Sequence, residues 1–133
     1  MSLTIGLQGR AEAVVTESNT ASAVGSGLVP VFATPYMIAL MEGAAVNAVT
    51  PYMDEGEGTV GTFLNVTHDA ATPIGMKVWA ECELTEVNGC ALTFSVTAYD
   101  ECGVIGKGTH GRFIIKTDRF IEKTNAKLQQ SAT

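Results

Sequence analysis

Hydrophobic positions fall into two regimes along this chain. From residue 34 to 49 they are nearly continuous, whereas from about residue 76 onward they alternate with polar ones. The first regime, Thr34-Pro35-Tyr36-Met37-Ile38-Ala39-Leu40-Met41-Glu42-Gly43-Ala44-Ala45-Val46-Asn47, reads as one helix. Thr34 suits its N-cap, where a hydroxyl accepts from an orphan N–H, and Pro35 suits the first helical position, which needs no donor. Thr50-Pro51 should end it, because proline disfavours helical backbone in the residue before it. Apolar side chains almost all round predict that other structure wraps this helix. Small residues (Ala39, Gly43, Ala44, Ala45) leave room for a close approach. Gly43 costs about 1 kcal/mol of helix propensity against alanine, so packing should compensate for it.

The second regime predicts strands. Residues 1–8 read as a lead-in and Arg10 to Val15 as a first strand; Thr20 to Pro30, with Gly25-Ser26-Gly27, reads as a loop or a short frayed helix. After the polar turn Asp54 to Gly58, Thr59 to Thr67 is β-branched and aromatic enough for a strand. A connection from His68 to Gly75 leads to Met76 to Val87, where Val78, Ala80, Cys82 and Leu84 share one face. Asn88-Gly89 signals a hairpin with a type I′ turn, which needs positive φ at both central residues. Cys90 to Tyr99 returns with Leu92, Phe94, Val96 and Ala98 in alternation; Asp100 to Gly103 turns again, and Val104 to Lys116 is the last long strand. The polar tail from Thr117 reads as a short terminal helix or a frayed end. The order is strand, long apolar helix, then four strands dominated by hairpins. One helix embedded in a curled antiparallel sheet, an α+β hotdog fold, satisfies it. Such a sheet covers only part of its helix, so a homodimer is expected.

Composition narrows this picture. A chain of 133 residues holds one domain, residues 1–133, with room for a real core. A net charge of −6 argues against a nucleic-acid partner and gives an anionic ligand no general attraction. No apolar run approaches the roughly 20 residues that span a bilayer, and no signal-peptide pattern opens the chain, so no membrane partner is expected. Three cysteines without CxxC spacing, Cys82, Cys90 and Cys102, read as reduced packing residues in a cytoplasmic protein. With only His68 and His110 as imidazoles, no metal site and no cofactor are expected.

Chemistry gathers on three residues. Glu42 stands among Ile38, Ala45, Val46 and Val49 on the helix surface, with no basic residue within a turn. It either reaches water through a gap or is an active-site carboxylate, since a charge in apolar company needs a partner or a function. Thr34 lies eight positions before it, about 12 Å along a helix axis, so the two cannot bond directly within one chain. Either His68 lies between them or a dimer partner completes the site. Each also has a structural explanation: Thr34 as a cap, His68 as a satisfied polar residue at a strand end. His110 reads as structural. Arg112 has two readings, a contact to a phosphate or carboxylate of a ligand and a surface salt bridge. Asp69 beside His68 does not make a hydratase pair, because adjacent strand residues point to opposite faces.

Longer segments carry a resemblance. Phe32-Ala33-Thr34-Pro35, Leu40-Met41-Glu42-Gly43-Ala44-Ala45, Gly61-Thr62-Phe63-Leu64-Asn65-Val66-Thr67-His68, Ala71-Thr72-Pro73-Ile74-Gly75-Met76 and Gly106-Lys107-Gly108-Thr109-His110-Gly111-Arg112-Phe113 resemble the hotdog acyl-CoA thioesterases of the fluoroacetyl-CoA thioesterase type. The likeness runs from about residue 10 to about residue 120. It implies an acyl-CoA substrate, coenzyme A entering as part of that substrate, and a catalytic triad of Thr34, Glu42 and His68 at a dimer interface. It also implies that Gly61 gives a backbone N–H to the thioester oxygen. Arg112 is the candidate contact to the coenzyme A end. Such a site suits acyl transfer: the carbonyl becomes an oxyanion that needs donors, a carboxylate attacks or activates water, and a histidine moves protons. The helix start beside Thr34 adds N–H groups that tolerate negative charge. One departure stands out. The stretch before Thr34, Gly25-Ser26-Gly27-Leu28-Val29-Pro30, holds no aromatic residue, which predicts looser exclusion of water and looser selection of the acyl group. The reading from a different class is a non-catalytic hotdog domain that binds or senses acyl-CoA; it would tolerate Glu42→Gln, and a hydrolase would not.

Overall fold

A computed structural model describes residues 3–131. Strand β1 (Gln8–Val14) leads through a 3-10 turn (Glu17–Asn19) and a short helix α1 (Ala21–Val24) to the long helix α2 (Thr34–Val49). A 3-10 turn (Thr50–Tyr52) ends α2 where proline stops it. Four long strands follow: β2 (Glu57–His68), β3 (Lys77–Asn88), β4 (Ala91–Asp100) and β5 (Gly103–Lys116). Helices α3 (Thr117–Asn125) and α4 (Lys127–Ser131) close the described chain. All strand pairs are antiparallel and the sheet order is β1-β3-β4-β5-β2. This is the hotdog arrangement expected from the pattern. β2 therefore does not pair with β3, its neighbour in sequence; the connection from residue 69 to 76 carries the chain across to the far side of the sheet.

Alternation decides which face of the sheet meets α2. Val78, Ala80, Cys82 and Leu84 of β3 and Leu92, Phe94, Val96 and Ala98 of β4 are all buried. They pack against Met37, Met41, Ala44, Ala45, Ala48 and Val49 of α2. The helix is not wrapped all round: Tyr36, Ala39, Val46 and Asn47 are exposed. Close approach is set at Gly9 of β1, where a Cβ would collide with the Ala44 carbonyl and lie 2.6 Å from the Ala48 Cβ. Gly43, by contrast, faces only the Ala11 methyl at ordinary distance, so packing does not compensate for it.

Two local expectations are corrected. The β3–β4 turn sits one residue later than the Asn-Gly signal implies: Asn88 pairs with Ala91, leaving Gly89-Cys90 as the loop. Gly89 has φ +62° and no non-glycine residue described has positive φ, the pattern of a type II′ turn, which wants glycine at its first central position. The cysteines are not mainly packing residues either. Cys82 is buried, and its thiol is pushed up to about 11 by that burial, but Cys90 and Cys102 are exposed in the two hairpin turns.

Candidate active site

The start of α2 differs from the sequence expectation in a way that frees a functional group. The N-cap is Ala33, not Thr34: its carbonyl accepts from Met37 N–H at 3.0 Å, and its own N–H donates to the Asn19 carbonyl at 3.0 Å. Thr34 is thus the first helical residue and its hydroxyl caps nothing. It lies 2.7 Å from His68 Nδ1 instead. His68 is the last residue of β2, and its Nε2 is buried with no hydrogen-bond partner among the described residues. Burial holds the imidazole below its usual pKa, against the backbone at Ala70 and the charge of Asp69, so the neutral ring is favoured. Thr34 and His68 line a cleft of about 210 Å³ with Ala21, Ser26, Phe32 and Asp69.

Glu42 lies two turns further along α2 and belongs to a different cluster. Its carboxylate faces Arg112 of β5, with Oε2 3.4 Å from Nη1. The carboxylate is partly open to solvent, so neither sequence reading of Glu42 is complete: it has both an outlet to water and a cationic partner. That partner is 70 positions away in sequence, so no local spacing announces it. Arg112 is correspondingly not a surface residue. It is 6% exposed, its Nε donates to Thr59 Oγ1 at 2.8 Å and its Nη2 to the Thr59 carbonyl at 2.9 Å. Burial lowers its pKa, with the Glu42 charge and hydrogen bond acting against that shift. A guanidinium with these donors stays charged.

Gly61 joins this second cluster. A Cβ there would collide with Glu42 Oε2 and lie 3.4 Å from Arg112 Nη1, so only glycine lets the carboxylate lie against this backbone. The register of β2 against β5 shifts between Gly61 and Phe63, leaving Thr62 as the extra residue of a bulge beside the site. The structure therefore brings Thr34 together with His68, and Glu42 together with Gly61 and Arg112. No hydrogen bond or ion pair joins the two groups among the described residues. Among those residues no group of three or more His, Cys, Asp or Glu stands close enough to hold a metal ion.

Residues 15–118 match the family model described as fluoroacetyl-CoA-specific thioesterase. The chain belongs to that family. A fluoroacetyl-CoA thioesterase of Streptantibioticus cattleyicolor is 48% identical over 100 residues, covering 75% of this chain and 69% of that protein. A solved fluoroacetyl-CoA thioesterase superposes with TM-score 0.88 at 37% identity, covering all of both chains. A mutant of such an enzyme, crystallised with fluoroacetate and coenzyme A, gives 0.84 at 38% identity over 89% of this chain and 99% of that one. A Thermus thermophilus thioesterase superfamily member gives 0.87 at 29% identity, covering 98% and 96%. The chain is a thioester hydrolase of the acyl-CoA thioesterase class.

Sequence reasoning missed Thr59 and the approach of His110 Nε2 to within 3.3 Å of Arg112 Nη1. Thr59 had no motif around it; its role as the anchor of Arg112 depends on the β2–β5 pairing. From the sequence Arg112 reads as a group facing ligand or solvent; on β5 it falls on the same face as His110, and both are buried.

Proposed function

We propose that this fluoroacetyl-CoA thioesterase family member hydrolyses a short-chain acyl-CoA to the free acid and coenzyme A, using Thr34, His68 and Glu42 at a site completed across a homodimer. The observation that carries this reading is the 2.7 Å contact between Thr34 Oγ1 and His68 Nδ1. It takes the hydroxyl away from helix capping and leaves the other ring nitrogen buried and unsatisfied, an arrangement that costs stability unless a reacting group uses it. Glu42, held by Arg112 against Gly61, supplies the oxygen nucleophile or the base that makes one from water. Gly61 gives its N–H to the thioester oxygen as negative charge develops there. The C–S bond breaks, the sulfur takes a proton by way of His68, and water supplies the second oxygen of the acid.

Two features support a second protomer in the site. Glu42 and the Thr34–His68 pair lie apart within one chain, and β2, which carries both Gly61 and His68, is a twelve-residue edge strand. A long unpaired edge invites a matching strand, and antiparallel pairing with a second copy would bring the Glu42 cluster of one protomer toward the Thr34–His68 pair of the other. The short acyl chain, the dimer, one continuous domain and a cytoplasmic location belong to this proposal; no described helix is long and apolar enough to cross a membrane. The site residues need no resident cofactor for this chemistry. The Gly-rich segment before Thr34, with Leu28 almost wholly exposed, fits acceptance of acetyl as well as fluoroacetyl groups.

The test is free-thiol release from fluoroacetyl-, acetyl-, propionyl- and butyryl-CoA by wild type, Glu42→Gln, Thr34→Ala and a re-equilibrated mixture of the two variants. Glu42→Gln should lose about 10²-fold or more in kcat. Activity should return in the mixture, because a mixed dimer holds one site with both native groups. Unimpaired kcat in Glu42→Gln, or tight acyl-CoA binding with no turnover in wild type, would sink the catalytic reading and favour a binding domain. A mixture that stays inactive would place each site within one protomer.

A further inference from the structure

His110 is fully buried on β5 and lies outside the proposed triad. Its Nδ1 is 2.9 Å from the Phe63 carbonyl and its Nε2 is 3.3 Å from Arg112 Nη1. A carbonyl only accepts and a guanidinium only donates. Both contacts are satisfied together by one form of the ring, neutral with the proton on Nδ1. The Phe63 carbonyl is in place for this because the bulge at Thr62 interrupts the β2–β5 ladder just before it. Phe94 of β4 stacks on the ring, centroids 6.1 Å apart.

Arg112 Nη1 therefore faces two acceptors, His110 Nε2 and Glu42 Oε2, while its Nε and Nη2 are tied to Thr59. We propose that His110 is a positioning residue for Glu42: as the Nδ1–H tautomer it accepts from Arg112, fixes the guanidinium plane and so holds the Glu42 carboxylate beside Gly61. This rests on the reading of Glu42 as the reacting carboxylate. A proton added to Nε2 would set a donor against a donor and turn Arg112 away from Glu42. The charged groups facing His110 are Arg112 of its own strand and Glu42 of α2; β2 presents the Phe63 carbonyl and β4 the Phe94 ring. Burial and the Arg112 charge keep the ring neutral, against the Phe63 carbonyl and the Glu42 charge.

Two variants separate positioning from packing. Asparagine at 110 can still donate toward Phe63 but offers Arg112 no acceptor, whereas the longer glutamine amide can place an oxygen where Nε2 stood. With fluoroacetyl-CoA and acetyl-CoA, His110→Asn should lower kcat roughly tenfold to a hundredfold, the scale expected of a misplaced reacting group, with KM changed less than about threefold. His110→Gln should recover about tenfold of that loss. In wild type, histidine nitrogen NMR should show His110 as the Nδ1–H tautomer between about pH 6 and 8, a readout that does not depend on catalysis. A His110→Asn enzyme with wild-type kcat, equal losses in both variants, or an Nε2–H tautomer would each overturn the proposal; should His110→Asn not fold, the tautomer decides. Glu42→Gln run alongside keeps the two readings distinct. If it retains full activity, the role of Glu42 has failed even where the tautomer is as stated; if it loses activity and His110→Asn does not, only His110 is wrongly assigned.

Discussion

At the start of α2 the Thr34 hydroxyl has two partners open to it, an orphan helix N–H or the His68 ring. A Thr-Pro pair before an apolar run reads as a cap followed by the first helical residue, because threonine caps well and proline needs no donor there. What the local pattern does not contain is the tie between Ala33 N–H and the Asn19 carbonyl, which puts the cap one residue earlier. The difference has a measurable consequence. A capping threonine replaced by alanine costs about 1 kcal/mol of stability. Thr34→Ala should instead leave stability within about 0.5 kcal/mol of wild type, while kcat falls on the order of 10²-fold through loss of the His68 contact. Thr34→Ser, which keeps the hydroxyl, should recover most of the rate. Urea denaturation and steady-state kinetics on the same preparations check both halves; a stability loss without a rate loss would return Thr34 to capping.

At the scale of elements, the strands were legible wherever one face is buried. β3 and β4 alternate strictly through Leu84 and Ala98, and every inward residue of that pattern is in the core. Sheet order was not legible, because β2 carries no residue that marks β5 as its partner in place of β3. The Glu42–Arg112 pair was hidden for the same reason, being a product of that pairing and not of any spacing. The helix–sheet approach was half legible: small residues on α2 were evident, but the decisive one lies on β1. Gly9 sits against the Ala44 carbonyl and the Ala48 methyl, and a backbone carbonyl cannot move aside as a flexible side chain does. Gly9→Ala should therefore destabilise the fold by about 1–3 kcal/mol, the usual range for overpacking. Gly43→Ala, facing only the Ala11 methyl, should gain up to about 1 kcal/mol from helix propensity. Opposite shifts of the two urea midpoints are expected; a neutral Gly9→Ala would mean that β1 can slide away from α2.

Across the whole molecule, the two histidines make stability depend on pH in a direction that can be worked out. Both sit in polar clusters beside α2, and burial is the leading cause that lowers each below the usual 6.5. In the unfolded chain they take up protons as the pH falls through 6.5, while in the folded protein they resist. The unfolded state then binds more protons, so stability must fall as pH drops below 6.5 and level off above it. Glu12 and Glu57 have their pKa values lowered from 4.5 by Arg10 and by the Asp54 backbone respectively, and they act in the same sense in a lower window. Loss of stability between about pH 7 and 5.5 therefore belongs to the histidines. Melting temperatures across that range should decline for wild type and decline less for His110→Gln, which removes one of the two groups. If the chain works as a dimer, total protein concentration must be held fixed across the series, since association adds to apparent stability by mass action. A melting temperature that stays flat, or rises, between pH 7 and 5.5 would show that the folded rings take up protons at least as readily as the unfolded ones. For His110 that would remove the acceptor on which the Arg112–Glu42 arrangement depends.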